Sequence, residues 1–244
     1  MAVMLEADSS ISGRNNGYYH ACPGAERPPL FAGMLPGDYS GISATARVKE
    51  FARGEMMYIE GDSVHRVLLV TAGFVKITQL GNSGAEVILR FCGPGDVLGA
   101  VSQDSAVKHR TTAQAFRQCR ALVWDARAFQ ALIARFPVLH ENMVRILGED
   151  LLELEVRFRE VATERVGPRV ARQLVRLLEQ IGRPVNGEVE VCLSREDLAQ
   201  MTGTTLFTVS RLLSAWEARG MVRPRREAVT ICDVESLRAM SVLS

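Results

Sequence analysis

No stretch of this sequence approaches 18 uninterrupted apolar residues, so no transmembrane helix and no membrane partner are expected. The first ten residues, MAVMLEADSS, have neither a basic region nor a long apolar run, so a secretory signal is not expected either. Cysteine is sparse: Cys22, Cys92, Cys119, Cys192 and Cys232 are odd in number and widely spaced. That argues against a disulfide framework and against a Cys-x-x-Cys metal site, and it suits a reducing cytoplasm. Charge of one sign is also lacking, since 29 Lys+Arg stand against 28 Asp+Glu over 244 residues, a net charge of +1. From Glu164 onward 12 Arg face 10 acidic residues, which permits a local basic face without demanding one. There is no P-loop, Gly-rich dinucleotide loop, G-x-S-x-G elbow or H-E-x-x-H pair, so an enzyme is not expected. What is present is ordinary: 47% hydrophobic and 23% charged residues, in a length that suits one large domain or two.

Taken in order, residues 1–29 are rich in Ser, Gly, Asn and Pro and read as a flexible tail, with Tyr18, Tyr19, His20 and Cys22 inside it. PLFAGM and a short helical pattern follow. Between Val48 and Asp125 the chain runs in short Val-, Ile- and Phe-rich bursts broken by Gly-Asp and Gly-Asn turns. That texture predicts an antiparallel barrel or jelly roll. ARAFQALIARF is a short helix, and Pro137 suits the first turn of a long one reaching about Thr163. In it Met143, Leu147, Leu151, Leu154, Phe158 and Val161 are spaced 4, 4, 3, 4 and 3, close to the 3.5 repeat of a coiled coil. Such a seam pairs with a second copy or packs on its own jelly roll; the twofold pairing is the commoner solution. Gly167-Pro168 predicts a hinge. Val170, Leu174, Leu177, Leu178 and Ile181 mark one face of another helix, and GRPVNGEVEVCL reads as a turn and a short strand.

Residues 193–222, LSREDLAQMTGTTLFTVSRLLSAWEARGMV, read as two short helices around a tight turn. Ser194 is the candidate N-cap of the first, with Leu198 and Met201 on its apolar face. Gly203 suits the sharp turn. Thr205 caps the second helix, whose Val209, Leu212, Leu213 and Trp216 form one stripe, and Gly220 ends it. Phe207, Ser210, Arg211 and Ser214 face the other way. A second helix offering Arg and small polar groups suits a DNA major groove. Alone, the stretch also fits an ordinary helix pair. MVRPRREAVTICD then reads as a hairpin with Arg223, Arg225 and Arg226 near its tip, and Asp233 starts a closing helix. Beside a recognition helix, such arginines suit phosphate contact.

Jelly roll, long helix, hinge and winged helix-turn-helix together resemble the CRP/FNR family of bacterial transcription regulators. The resemblance rests on PLFAGM, GEMMYIEGD, LLVTAGFVKI, GDVLG and LSREDLAQMTG…TVSRLL…EARGMV, and spans about residues 30–240. It implies an α+β chain with four parts: a tail at 1–29, a cyclic-nucleotide-binding-type jelly-roll sensor at 30–136, a dimerisation helix at 137–164 and a winged helix-turn-helix at 165–244. The implied partners are double-stranded DNA, a second copy of the chain and RNA polymerase. By the resemblance, Arg211 reads a guanine with Ser210 beside it, Thr208 lies near the backbone, and Thr205 joins the DNA-binding set. Ser194 and Arg195 anchor the first helix on phosphates, and Arg225 contributes from the wing. Phe207 stands where many members carry Glu, which alters the sequence read.

For the sensor, Gly99, Arg110 and Thr111 match the family's phosphate-binding Gly, Arg and Ser, whereas Ala100 replaces the ribose-binding Glu. Leu154 and Glu155 replace the Thr-Ser pair used for adenine. Cyclic AMP control is therefore not expected, and Arg110 is left for another anion or for an ion pair with Asp104. With Cys22 alone near the N-terminus, an iron–sulfur cluster lacks its ligands. His20, His65, His109 and His140 leave haem open, no spacing selects one, and no cofactor or metal is assigned. The implied mechanism is a signal at the barrel–helix junction that shifts the seam and reorients the recognition helices. A haem- or cyclic-nucleotide-responsive regulatory subunit is the alternative, and the basic winged motif argues for the regulator.

Overall fold

The computed structural model describes residues 27–82, 84–99 and 107–242. The first 26 residues, with Tyr18, Tyr19, His20 and Cys22, lie outside the described residues, as do Ala100 and Asp104.

A 3₁₀ turn at Pro29–Phe31 and α1 (Pro36–Ala44) lead into eight strands. These are β1 (Arg47–Phe51), β2 (Met56–Tyr58), β3 (Arg66–Ala72), β4 (Val75–Leu80), β5 (Glu86–Cys92), β6 (Val97–Leu98), β7 (Thr112–Ala115) and β8 (Cys119–Asp125). They form two four-stranded sheets, β1-β8-β3-β6 and β2-β7-β4-β5, with every pair antiparallel. This is the expected jelly roll. The strand β3 explains how it is covered. Its Leu68 and Val70 point between the sheets, while the alternate Val67 and Leu69 point outward and are equally buried. Period-two alternation thus feeds two cores from one strand. The outer core is closed by Leu30, Phe31, Ile42, Trp124 and Phe129. Trp124 Nε1 donates to Thr45 Oγ1 at 3.0 Å, fixing α1 on the barrel.

Asp125 caps α2 (Ala126–Arg135), accepting from the Arg127 and Ala128 amides. Next comes α3 (Pro137–Thr163), 27 residues with Pro137 in its first turn, and about 40 Å long. Its start is tied down: Asn142 donates to the carbonyls of Leu30 and Ala32, both at 2.9 Å. Met143 is only 6% exposed and packs in the outer core of its own protomer. It therefore does not belong to an open seam. Leu147, Leu151, Leu154, Phe158 and Val161 are exposed.

The chain breaks at Glu164–Arg165, both extended, and α4 (Val166–Ile181) begins at once. The expected hinge at Gly167-Pro168 is thus displaced: both residues sit in the first turn of α4, where a missing N–H costs nothing. Arg169 organises the break. Its guanidinium, buried with the residue 7% exposed, donates to the carbonyls of Glu164 at 2.9 Å and Thr202 at 2.8 Å, with longer bonds to those of Glu160 and Val161. The Glu160 carbonyl also accepts from the Glu164 amide at 3.0 Å, but the last carbonyls of a helix are short of partners and a cation there is favoured.

GRPVNGEVEV, expected as a turn and one strand, is a hairpin of β9 (Arg183–Val185) and β10 (Glu188–Val191). Asn186 at φ 52° and Gly187 at φ 83° supply the two positive dihedrals of a two-residue turn. Then follow α5 (Arg195–Thr202), α6 (Leu206–Glu217), β11 (Val222–Pro224), β12 (Val229–Ile231) and α7 (Val234–Val242), with a sheet ordered β11-β12-β10-β9. Leu174, Leu177, Leu198, Val209, Leu213 and Trp216 form the core of this unit, and Ile88 and Phe91 of β5 join it. The barrel and the C-terminal unit therefore share a packed boundary, closed by Gln180 Nε2 donating to the Phe91 carbonyl at 2.7 Å.

Candidate nucleic-acid interface and sensor cavity

The two short helices are set by local chemistry. Ser194 Oγ accepts from the Asp197 amide at 3.0 Å, and the Asp197 carboxylate accepts from the Ser194 amide at 3.1 Å, a reciprocal capping box. Gly203, at φ 58°, takes the left-handed turn that ends α5. Thr205 Oγ1 then accepts from the Thr208 amide at 3.2 Å to start α6. Val209, Leu213 and Trp216 are fully buried, with Leu212 partly so. On the opposite side Phe207 is 75% exposed, Arg211 and Ser214 are exposed, and Ser210 and Thr208 are half-buried. Arg211 has no hydrogen bond or ion pair among the described residues, so its guanidinium fork is open to a ligand.

The wing arginines are unequal. Arg223 forks onto Glu188 at 2.8 and 3.2 Å, and that hydrogen bond holds the Glu188 carboxyl below its usual range. Arg225 lies 3.8 Å from Glu190, and Arg226 is exposed with no partner among the described residues. The start of α5 is not open. Asp197 is 3.5 Å from Lys76 of β4, and the half-buried Arg195 has an Nε without a hydrogen bond. Ser194 and Arg195, the expected phosphate anchors, thus lie at the barrel junction.

The second feature is a cavity of about 410 Å³ between the barrel and α3. It brings together Gly99, Arg110 and Thr111 on the barrel side with Leu147, Leu151 and Leu154 of α3. Gly99 is demanded by the backbone: φ is +93°, and a Cβ there would lie 2.6 Å from the Arg66 carbonyl oxygen. Arg110 has no side-chain partner among the described residues. Tyr58 stacks on His109 with ring centroids 3.8 Å apart and planes 8° from parallel. Burial pushes the Tyr58 hydroxyl pKa up against an opposing hydrogen bond from Thr111, and burial pushes His109 down against the pull of Asp62. Both rings therefore present neutral surfaces at pH 7.

Four charged residues that sequence reasoning did not single out as site residues complete this wall. Arg90 pairs with Asp150, and Arg157 pairs with Glu153 while donating to the Leu89 carbonyl. Burial raises the Asp150 pKa, opposed by Arg90. Neighbouring Cys92 is pushed by burial up to about 12, so its thiol stays protonated. The available signal was Arg90 itself, a charge inside the apolar run VILRFC. Of the histidines, His65 and His140 are exposed and His20 is outside the described residues. Among the described residues no cluster of His, Cys, Asp and Glu is arranged to hold a metal ion, and no helix is long and apolar enough to cross a membrane.

Two family models match the chain: a cyclic nucleotide-binding domain over residues 48–136 and a Crp-like helix-turn-helix domain over residues 168–240. A CRP-like cAMP-activated global transcriptional regulator of Mycobacterium tuberculosis is 28% identical over 213 residues, covering 86% of this chain and 95% of that protein. A cyclic AMP receptor protein of Thermus thermophilus is 28% identical over 195 residues, covering 80% of this chain and 88% of that one. Among solved structures, a CooA mutant from Carboxydothermus hydrogenoformans superposes with a TM-score of 0.65 at 26% identity, covering 82% of this chain and 90% of that one. The order of the two matched domains, the winged motif behind a long helix, and these likenesses agree: the chain belongs to the CRP/FNR family of transcription regulators.

Proposed function

We propose that this chain acts as a homodimeric regulator that reads a twofold-symmetric DNA site through α6 and responds to an organic anion in the barrel cavity. The observation that carries the reading is the face of α6. Arg211 has no partner among the described residues, and Phe207 on the same helix is 75% exposed, while the helix's other face is buried. A bidentate Arg–guanine contact is worth about 1–3 kcal/mol of discrimination, and Phe offers apolar contact suited to a thymine methyl. Ser210, Thr208 and Thr205 line the same end of the helix, and Arg225 and Arg226 of the wing supply positive charge for phosphates.

Pairing of two copies follows from α3. Leu147, Leu151, Leu154, Phe158 and Val161 are exposed on a helix already anchored to its own barrel by Leu139 and Met143. A closed twofold pairing would cover them and set two recognition helices about 34 Å apart. The cavity favours an anion with an apolar body: Arg110 has no side-chain partner among the described residues, Leu147, Leu151 and Leu154 line the α3 side, and Asp150 and Glu153 there are already paired with Arg90 and Arg157. Two relatives are described by their cyclic AMP response. Here Leu154 offers no hydrogen bond to an adenine, so we assign the cavity to a different anion.

Selection of bound sequences from a random duplex pool tests the DNA reading. The expected result is an inverted repeat with guanine at one fixed position per half-site, lost from the consensus with Arg211→Ala. A consensus without twofold symmetry would refute it. Calorimetric titration with cyclic AMP tests the cavity: micromolar binding would overturn the assignment.

A further inference from the structure

A second cleft lies on the other side of the barrel, where it meets the C-terminal unit, with a volume of about 630 Å³. Arg53 and Arg117 line it from the barrel, and Arg183, Ser194, Asp197 and Glu227 from the C-terminal unit. Both acids are already engaged. Asp197 pairs with Lys76 at 3.5 Å and caps α5, while Glu227 pairs with Arg53 at 3.3 Å. Arg117 and Arg183 have no ion pair among the described residues.

Arg117, in the turn between β7 and β8, is the anomaly. Both of its terminal nitrogens are sealed from solvent and make no hydrogen bond. Its guanidinium carbon lies 6.0 Å from the centroid of the Phe116 ring. Burial, and then the neighbouring charge of Arg183, pull its pKa below the ordinary value. A guanidinium cannot shed its proton near neutrality, so the charge stays; Cys192 and Glu190 act on it in the opposite sense but neither hydrogen-bonds its terminal nitrogens. Burying a charge without a partner is among the costliest arrangements in a protein. A cleft that holds such a charge beside a second unpaired arginine is short of one anion.

We propose that this cleft is a second ligand site, separate from the barrel cavity, for a free oxyanion of the phosphate class held between Arg117 and Arg183. The forked donors of Arg suit phosphate oxygens. Arg117 belongs to the barrel and Arg183 to β9, so the bound anion bridges the barrel to the sheet of the C-terminal unit. Its source is inorganic phosphate or the phosphoryl end of a small metabolite.

The test is thermal melting and calorimetric titration of the full chain in chloride buffer, adding inorganic phosphate or glycerol 3-phosphate against sodium chloride of equal ionic strength. Both are expected to raise the melting temperature. A stronger response to glycerol 3-phosphate points to a metabolite, an equal one to the inorganic ion. Arg117→Met should abolish the response, yet melt no lower than the parent in chloride, because it removes an unpaired buried charge. Arg183→Gln, on an exposed side chain, should weaken binding at least about tenfold. Arg110→Met should leave the response in place. The proposal is overturned if phosphate shifts nothing beyond chloride, if R117M responds as the parent does, or if R110M abolishes the response.

Discussion

Glu160 offers the sharpest test of how the long helix is joined to the DNA-binding unit. It lies near the end of α3, is 4% exposed, and accepts from Arg176 Nη1 at 2.7 Å and from Arg176 Nη2. Arg172 stands 3.3 Å away and is shared with Glu164. Glu160→Gln keeps the shape but removes the charge, leaving Arg176 facing an amide. Breaking a buried pair from one side costs about 3–5 kcal/mol. Arg172 keeps Glu164 as a partner, so the low end, about 3 kcal/mol, is expected here. Urea unfolding at constant chain concentration would read this as a lower midpoint with an unchanged slope. Adding Arg176→Met removes both ends of the pair, so the double variant should cost less than the two single variants together, by the coupling between them. The pH dependence has a fixed sign. Burial opposes ionisation of Glu160, but the Arg176 hydrogen bond and the two arginine charges win and hold its pKa below the usual value. The pair is therefore fully stabilising above about pH 4.3, and its contribution is lost as pH falls through the depressed folded value, a slope that E160Q should flatten. A single variant within about 0.5 kcal/mol of the parent, the range of neutral surface changes, or strictly additive singles, would refute the reasoning.

Three further outcomes follow from the same geometry. Phe158→Asp changes a side chain that is 74% exposed and outside the sensor cavity, so it should leave folding intact while sedimentation reports monomer in place of dimer; an unchanged dimer would remove α3 from the interface. Arg211→Ala should weaken binding to the selected site by about 1–3 kcal/mol and leave binding to random duplex little changed; equal losses on both would make Arg211 a phosphate contact. Gly99→Ala should cost about 1–3 kcal/mol in thermal melting, since it combines a positive φ with a Cβ 2.6 Å from a carbonyl oxygen; a neutral result would mean that the turn shifts freely.

Short-range chemistry was legible in the sequence and long-range chemistry was not. Ser194, Gly203 and Thr205 bound two helices within a few residues of themselves, and each does what its type predicts. Nothing local announces the hairpin at Asn186-Gly187, because its first strand, Arg183–Val185, is three residues long and lies on the surface, with no apolar alternation to betray it. The seam of α3 was read one residue too far. Met143 has the same spacing as Leu147, but only the fold reveals that at this height the helix turns that face onto Trp124 and Phe129. Gly167-Pro168 suggested a break by composition, yet Pro is equally suited to a first helical turn, and the two extended residues before it carry the bend. Of the cavity, Gly99, Arg110 and Thr111 could be found by resemblance. Arg90, Asp150, Glu153 and Arg157 form pairs between β5 and α3 or along α3, and nothing local announces which charges will meet. Arg117 was equally invisible, because an unpaired charge is defined by its surroundings.

The joint around Arg169 has a consequence for how this chain tolerates change. Every acceptor it uses, on Glu160, Val161, Glu164 and Thr202, is a main-chain oxygen. Its hydrogen bonds therefore register the path of the backbone, while the Glu160 and Glu164 side chains act on it only through their charge. These hydrogen bonds survive substitution at the four positions provided the helix ends stay where they are, although Glu160 is held separately by Arg176. The constraint is gathered into one residue whose five donors and planar fork lysine cannot reproduce. Substitution at the end of α3 thus leaves the hydrogen bonds of Arg169 in place, whereas substitution at position 169 removes all four at once.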